Sequence, residues 1–125
     1  MPCTPSDFRR VALSLPETEE RKHMNHPDFR VAGKIFATLA YPNRDWGMVK
    51  LTPIQQEEFV QSHPTVFNPC NGAWGRQGAT SVLLSKANKR VLRQAILAAW
   101  RNHAPSERAL NSFPKRSKEF VHFPS

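Results

Sequence analysis

The chain has 125 residues, a formal net charge of +8 and a hydrophobic fraction of 39%. This length fits a single domain, and the apolar content excludes an intrinsically disordered chain. No apolar run approaches the roughly 18 residues of a membrane-spanning helix, and the first residues lack the pattern of a signal peptide. Cys3 and Cys70 form neither a CxxC motif nor a disulfide framework. We therefore expect a cytoplasmic protein with no membrane partner.

The basic residues are spread unevenly along the chain. No acidic residue occurs between Glu58 and Glu107, whereas most acidic residues lie in the first half. The same interval holds six basic residues, namely Arg76, Lys86, Lys89, Arg90, Arg93 and Arg101. This polarity permits nucleic acid or another polyanion as a partner.

The first predicted element is a helix. Thr4-Pro5-Ser6-Asp7 supplies an N-cap, a proline at the first helical position and an acid in the first turn. Apolar residues follow at helical spacing as far as Leu15, and Pro16 ends the segment.

A β-hairpin is predicted next. Residues 28–31 and 34–39 are rich in strand-forming residues and flank Ala32-Gly33. Alanine disfavours the two positive φ angles of a type I′ turn, so we expect Gly33 alone to be left-handed, with a bulge as one way to close the hairpin. Residues 46–51 predict a third strand of the same meander.

Two more helices and a strand complete the predicted domain. Thr52 and Gln55 form a capping-box pattern for a helix over roughly 53–62. Residues 80–84 predict a strand, and Asn88 can cap a last helix through His103. That helix has a continuous apolar stripe of Val91, Leu92, Ala95, Ile96, Ala99 and Trp100.

The order of these elements predicts an α+β fold. We expect a two-layer sandwich in which helices cover one face of an antiparallel sheet. Residues 1–104 would form the domain, and residues 105–125 would be a C-terminal extension that folding does not require.

Residues 67–84 hold a glycine-rich loop that runs into a strand. Gly72, Gly75 and Gly78 surround Trp74 and Arg76, which indicates a shaped loop rather than a linker. Two interpretations stay open. The loop is either a binding surface or a lid that closes a small core with the tryptophan as its plug.

The sequence offers little support for catalysis or metal binding. His23, His26 and Asp28 include common metal ligands, but a third strong ligand at regular spacing is missing. Nothing in the sequence pairs Cys70 with His63 as a thiol and its base. Phosphate-binding and nucleophile-elbow motifs are absent. We expect no enzyme activity, no metal and no cofactor.

The start of the last helix is basic. Lys89 and Arg90 fall in its first turn, where the helix dipole makes cations mildly unfavourable. Lys86 and Arg93 recur on neighbouring turns, away from the apolar stripe. Phosphate attraction and a solubilising surface explain this pattern equally well.

Only one of the three tryptophans is a candidate for binding. Trp100 belongs to the apolar stripe, and Trp46 alternates with Met48 on a strand, so we expect both in the core. Trp74 in the glycine loop could stack on a base.

Three ordered motifs resemble the MmcQ/YjbR family. They are HPDFRVAGKIFATL (26–39), WGMVKLTP (46–53) and GAWGRQG (72–78), and the resemblance covers about residues 4–105. It implies a compact YjbR-like α+β fold, related in shape to frataxin-like and secretion-chaperone-like domains. It also implies DNA binding by a double-wing arrangement of two hairpins.

The resemblance and the charge pattern together give a set of candidate DNA-binding residues. They are Arg30, Lys34, Arg44, Lys50, Trp74, Arg76, Lys89, Arg90 and Arg93. We expect contacts to the phosphate backbone with weak sequence preference. The alternatives are a protein- or peptide-interaction module and a small-anion pocket around Trp74 and Arg76. Ala79 departs from the family pattern, which has a bulky aromatic there, and this predicts a gap near Trp74.

Overall fold

A computed structural model describes residues 2–105. The elements are α1 (Pro5–Ser14), β1 (Thr18–His23), β2 (His26–Val31), β3 (Lys34–Leu39), β4 (Trp46–Lys50), α2 (Pro53–Ser62), β5 (Phe67–Pro69), α3 (Gly72–Arg76), β6 (Ala79–Leu83) and α4 (Lys89–His103), with a 3₁₀ turn at Leu84–Lys86. All strand pairs are antiparallel, in the order β1-β2-β3-β4-β6-β5. The α+β prediction is confirmed. No helix within residues 2–105 is long and apolar enough to cross a membrane.

The three long helices begin at the predicted residues, and the N-cap side chain of each makes a hydrogen bond with the first turn. The backbone N–H of Thr4 donates to the Asp7 carboxylate at 2.9 Å, and that of Thr52 donates to Gln55 Oε1 at 2.9 Å. The side chain of Asn88 accepts from the α4 backbone at 2.8 Å. These caps satisfy backbone donors that the first helical turn leaves unpaired.

The core lies between one face of the sheet and helices α1 and α4. All six residues of the predicted α4 stripe are buried. Trp100 is fully buried, and its indole Nε1 donates to the carbonyl of Pro16 at 3.1 Å. Because the indole N–H has a hydrogen-bond acceptor, the Trp100 side chain can be buried without leaving a polar group unsatisfied.

The opposite face of the sheet carries a second set of side chains, and we call it the open face. Val49 and Leu51 belong to the helix-facing core. Side chains alternate along a strand, so Trp46, Met48 and Lys50 point to the open face. The expectation that Trp46 is a core residue is therefore wrong. Its side chain is half-buried and faces away from α1 and α4.

The β2–β3 hairpin differs from its prediction at the turn. Ala32 and Gly33 both have positive φ, 53° and 79°, so the expectation that Gly33 alone is left-handed is wrong. Two positive φ angles are typical of a type I′ turn. The twist of this turn matches that of the flanking strands, and the stability gained from this match exceeds the cost of the left-handed conformation at Ala32. The bulge lies farther along, where the pairing skips Phe36 and turns this residue into the core.

The sequence did not predict three elements. Edge strand β1 is composed of Thr18-Glu-Glu-Arg-Lys-His23 and has no apolar residue, so it lacks the usual strand pattern. The segment predicted as a glycine-rich loop contains strand β5 and the five-residue helix α3. Residues 106–125 of the expected extension lie outside the described residues.

Alternating strand directions place consecutive turns at opposite ends of the sheet. The β1–β2 turn (24–25), the β3–β4 turn (40–45) and the start of α4 lie at one end, which we call the hairpin end. A bond of 3.1 Å from the Leu84 N–H to the Asp45 carbonyl joins the β3–β4 turn to the segment before α4. The β2–β3 turn and the start of β6 lie at the other end.

Candidate functional site

The structure divides the nine candidate residues into two groups. Four of them lie at or beside the hairpin end, namely Arg44, Lys89, Arg90 and Arg93. The other five lie on the open face or at the opposite end, namely Arg30, Lys34, Lys50, Trp74 and Arg76. Lys34 begins β3 beside the β2–β3 turn, whereas Arg44 belongs to the β3–β4 turn at the opposite end of the meander. The two residues therefore do not form adjacent wing tips.

The hairpin end carries a group of exposed cations. We use the name basic end for Arg44, Lys86, Lys89, Arg90 and Arg93. Lys89 Nζ lies 4.0 Å from Asp7 Oδ1, and Arg10 also contacts that carboxylate at 3.1 Å. The other four cations form no ion pair within residues 2–105. Their charges are therefore available to an external anion.

Arg30 is instead held by a buried carboxylate. Asp28 is fully buried on the open face, where Arg30 Nε and Nη2 donate to its two oxygens at 2.8 and 3.1 Å. His23 Nδ1 lies 2.6 Å from Asp28 Oδ2. Burial alone would raise the pKa of the Asp28 carboxyl, but the hydrogen bonds from Arg30 and His23 outweigh it and lower that pKa. Arg30 stabilises this carboxylate and does not extend to the hairpin tip.

This cluster predicts a loss of stability in acid. Because the pKa of Asp28 is lower in the folded state, its contribution is present above the unfolded pKa of about 3.9 and is lost as the pH falls through the folded pKa. Thermal unfolding of the parent and of Asp28→Asn should be measured between pH 7 and pH 3. We expect a smaller fall in Tm in the variant, and an identical fall would contradict this role of Asp28.

Lys50 and Trp74 come together on the open face. Lys50 Nζ lies 5.7 Å from the centre of the Trp74 ring, within the range of a cation–π contact. Burial lowers the pKa of the Lys50 ammonium, and the charge of Asp28 partly offsets this effect. Within residues 2–105, Lys50 forms no ion pair. The cation beside Trp74 is thus Lys50, although the sequence-based pocket hypothesis named Arg76.

A row of aromatic rings supports Trp74 from the other side. Tyr41 meets the Trp74 ring edge-on at 5.4 Å between centroids, and His26 meets Tyr41 in the same way at 5.8 Å. Trp74 remains 37% exposed. Its ring therefore lies over the open face as part of a surface, and the lid hypothesis, with this ring as a plug of the core, is wrong.

Helix α2 fixes the segment that presents Trp74. Gln56 Nε2 donates to the carbonyls of Gly75 and Ala79 at 2.9 and 3.0 Å. The N–H of Cys70 donates to the Ala79 carbonyl at 3.0 Å, which pairs the two ends of the α3 segment. Trp74 is thus held by long-range contacts and not by the intrinsic stability of a five-residue helix.

A cleft of about 370 Å³ opens beside the Lys50–Trp74 pair. Its walls are Lys50, Leu51, Thr52, Pro53, Trp74, Gln77, Ala79, Asn102 and His103. Ala79 is buried in this wall and pairs with Lys50 across the sheet, so the predicted gap near Trp74 is present. No sequence pattern pointed to Gln77, Asn102 or His103, because they reach the cleft from α4 and from the residue after α3.

The thiol and imidazole groups do not form a catalytic pair. Cys70 Sγ contacts Ser81 Oγ at 3.4 Å, and burial raises the pKa of the thiol. His63 caps α2 and packs against the Phe67 ring at 6.1 Å. Both cysteines are free thiols, as expected. The described part of the chain contains no group of three His, Cys, Asp or Glu side chains that could hold a metal ion.

Comparison with known proteins agrees with this architecture. The family model named YjbR matches residues 13–102. The chain belongs to the YjbR family. Among solved structures, this YjbR chain is similar to the Deinococcus radiodurans protein DR2400, whose crystal structure is assigned to the DUF419 domain family.

That similarity concerns the fold alone. The two proteins superpose with a TM-score of 0.69 at 19% sequence identity, over 98% of this YjbR chain and 90% of the other. No curated protein sequence gives a significant match.

Proposed function

We propose that this protein binds the phosphate backbone of duplex DNA through the basic end, without catalysing a reaction. The observation that carries the proposal is the group of exposed cations around the start of α4. Lys86, Arg90 and Arg93 have no ion-pair partner within residues 2–105, and Lys89 has only a 4.0 Å contact with Asp7. Such a surface attracts a polyanion and releases its counterions on binding.

The arrangement of the backbone at the hairpin end supports the same function. Two hairpin turns and the start of a 15-residue helix lie there side by side. The Asn88 side chain caps the N–H of Val91 and leaves those of Lys89 and Arg90, and N–H groups at a helix start favour phosphate. Arg44 adds a cation on the neighbouring turn. This geometry changes which hairpins could act as the two wings. The β1–β2 and β3–β4 turns lie at the same end of the sheet, whereas the β2–β3 turn lies at the other end.

Little at the basic end supports base-specific recognition. The first turn of α4 presents Lys89 and Arg90, which suit phosphate oxygens, and its buried stripe faces the sheet. Contacts to phosphate position a protein but carry no sequence information. We therefore propose weak sequence preference.

The salt dependence of binding tests this proposal. Removing Lys89 and Arg90 as a Lys89→Gln/Arg90→Gln double variant should weaken binding equally for unrelated duplexes. It should also flatten the slope of log K against log salt by about 0.9 for each phosphate that is no longer neutralised, or about 1.8 for two. Fluorescence anisotropy with two unrelated duplexes between about 50 and 300 mM salt measures both quantities.

A matched control removes the same charge elsewhere. Lys34→Gln/Arg76→Gln removes one lysine and one arginine that lie away from the hairpin end. We expect this variant to keep most of the parent's affinity and slope. Equal weakening in both double variants would indicate attraction by net charge alone and would refute a DNA site at the basic end.

A protein-interaction module is the second candidate, and one observation favours it. Met24 is 85% exposed at the β1–β2 turn, and a flexible, polarizable methionine side chain is a common contact at surfaces that bind protein partners. If the protein does not bind duplex DNA, a substitution at Met24 is the first to compare with the parent protein in a search for protein partners.

A further inference from the structure

The cleft beside Trp74 is lined by a cation that has no ion-pair partner within residues 2–105. Lys50 is half-buried, contacts the Trp74 ring and forms no ion pair within residues 2–105. A desolvated charge is costly unless it is paired, and an anionic ligand would remove this cost. We infer that the cleft binds a small organic monocarboxylate with a flat apolar body, whose carboxylate pairs with Lys50.

The walls of the cleft provide for both parts of such a ligand. The Trp74 ring, Leu51, Pro53 and Ala79 form apolar surface for the body. The volume of about 370 Å³ lies in the usual range for small-molecule sites. The polar groups come from Thr52, Gln77, Asn102 and His103. The O–H of Thr52 and the amide N–H groups of Gln77 can donate to a carboxylate, whereas the Asn102 amide already donates within the protein. Polar groups that face an apolar surface are typical of sites that orient one small ligand.

Two of these polar side chains are already held in place. Asn102 Nδ2 donates to the Lys50 carbonyl at 3.2 Å and to Gln55 Oε1 at 2.7 Å. His103 Nδ1 lies 2.8 Å from the Ala99 carbonyl, which can only accept, so Nδ1 carries a proton. The wall is thus organised before a ligand arrives, which lowers the entropic cost of binding.

The charge of the cleft selects a monoanion. Lys50 is the cation that lines it, and a phosphate dianion would keep an unpaired charge in a partly desolvated site. The site also differs from the basic end, because Lys50 belongs to the end of β4 that lies away from the hairpin end. The inference therefore does not depend on DNA binding.

Titration of the full-length protein with benzoate tests the inference. Amide and indole NMR spectra should show a saturable shift of the Trp74 Nε1–H signal, and calorimetry should give the affinity. Benzamide, which has the same shape and no charge, should bind at least tenfold more weakly. Inorganic phosphate should not compete with benzoate at equal concentration.

Substitutions in the cleft distinguish the ion pair between Lys50 and the ligand carboxylate from the packing of the ligand's apolar body. Lys50→Met keeps an unbranched side chain against Trp74 and should lower benzoate affinity at least tenfold. Ala79→Leu should also lower it, because the added atoms enter the cleft. Lys34→Gln is the charge control and should bind like the parent, as should Lys89→Gln/Arg90→Gln. Thermal unfolding of each variant verifies that it is folded.

Three results would overturn the inference. They are the absence of a saturable Trp74 shift at millimolar benzoate, equal binding of benzamide, and unchanged affinity in a folded Lys50→Met variant. Competition by phosphate would overturn the monocarboxylate class. None of these results bears on the salt-dependence test of the basic end, so the two proposals fail separately.

Discussion

Replacing Gly78 with alanine should lower the free energy of unfolding by about 4 kcal/mol or more, at the upper end of single substitutions. Gly78 has a φ of +115°, a conformation that side chains with a Cβ rarely adopt. A Cβ there would also clash with the carbonyl oxygen of Leu51 and lie 2.7 Å from its carbon. This backbone cannot yield easily, because the Leu51 N–H donates to the Gly78 carbonyl at 3.2 Å.

Gly33→Ala is the matched control for this effect. Gly33 also has a positive φ, +79°, but an added Cβ would meet no atom within 4 Å. Its cost should be limited to the backbone term of about 1–2 kcal/mol. Chemical denaturation of both variants gives the comparison. If the two costs were equal, close approach of the Leu51 backbone would not be the reason for glycine at position 78.

Replacing Trp100 with alanine should cost about 3–5 kcal/mol, the usual range for a buried aromatic side chain. Trp100 is fully buried between α4 and the sheet, so its removal leaves a large cavity. It also leaves the carbonyl of Pro16 without the indole donor that lies 3.1 Å away. The midpoint of denaturant unfolding, at an unchanged m-value, measures the loss.

Trp100→Phe separates the two contributions. Phenylalanine keeps an aromatic ring in the core but cannot donate to Pro16, so we expect a clearly smaller loss than for alanine. An effect of Trp100→Ala near zero would be incompatible with α4 as part of the core.

The elements that the sequence predicted well are those determined by local chemistry. Thr4, Thr52 and Asn88 accept hydrogen bonds from the first turns that follow them, and each bond spans only three residues. The apolar stripe of α4 is likewise a property of one segment. Periodicity and caps therefore located the three long helices to within about a residue.

Elements that depend on distant partners could not be predicted in this way. Strand β1 has no apolar alternation and forms because its backbone pairs with β2 over six residues. Helix α3 is hidden among glycines and is held by Gln56, 19 residues before Gly75. The sequence also predicted the wrong face for Trp46. Alternation along the strand shows that Trp46 and Met48 lie on the same face of the sheet, but it does not show which face the helices cover.

The candidate sites show the same division. The cationic start of α4 could be recognised in the sequence because its residues are neighbours along one helix. The cleft could not, because Lys50, Trp74 and His103 come from separate elements that only the folded sheet brings together. The sequence indicated that Arg30 was available for phosphate, but its guanidinium group instead donates to the buried carboxylate of Asp28.

The two margins of the sheet restrict how this domain can associate with other chains. Strand β1, at one margin, carries Glu19, Glu20, Arg21 and Lys22 in succession, and charges on an outer strand oppose the docking of a foreign strand. Strand β5, at the other margin, has three residues and ends in Pro69, which has no N–H to offer. Growth into fibrils or sheet-sharing dimers is thus disfavoured on both sides. Within residues 2–105, the turns, the helices and the open face are the surfaces that remain for a partner.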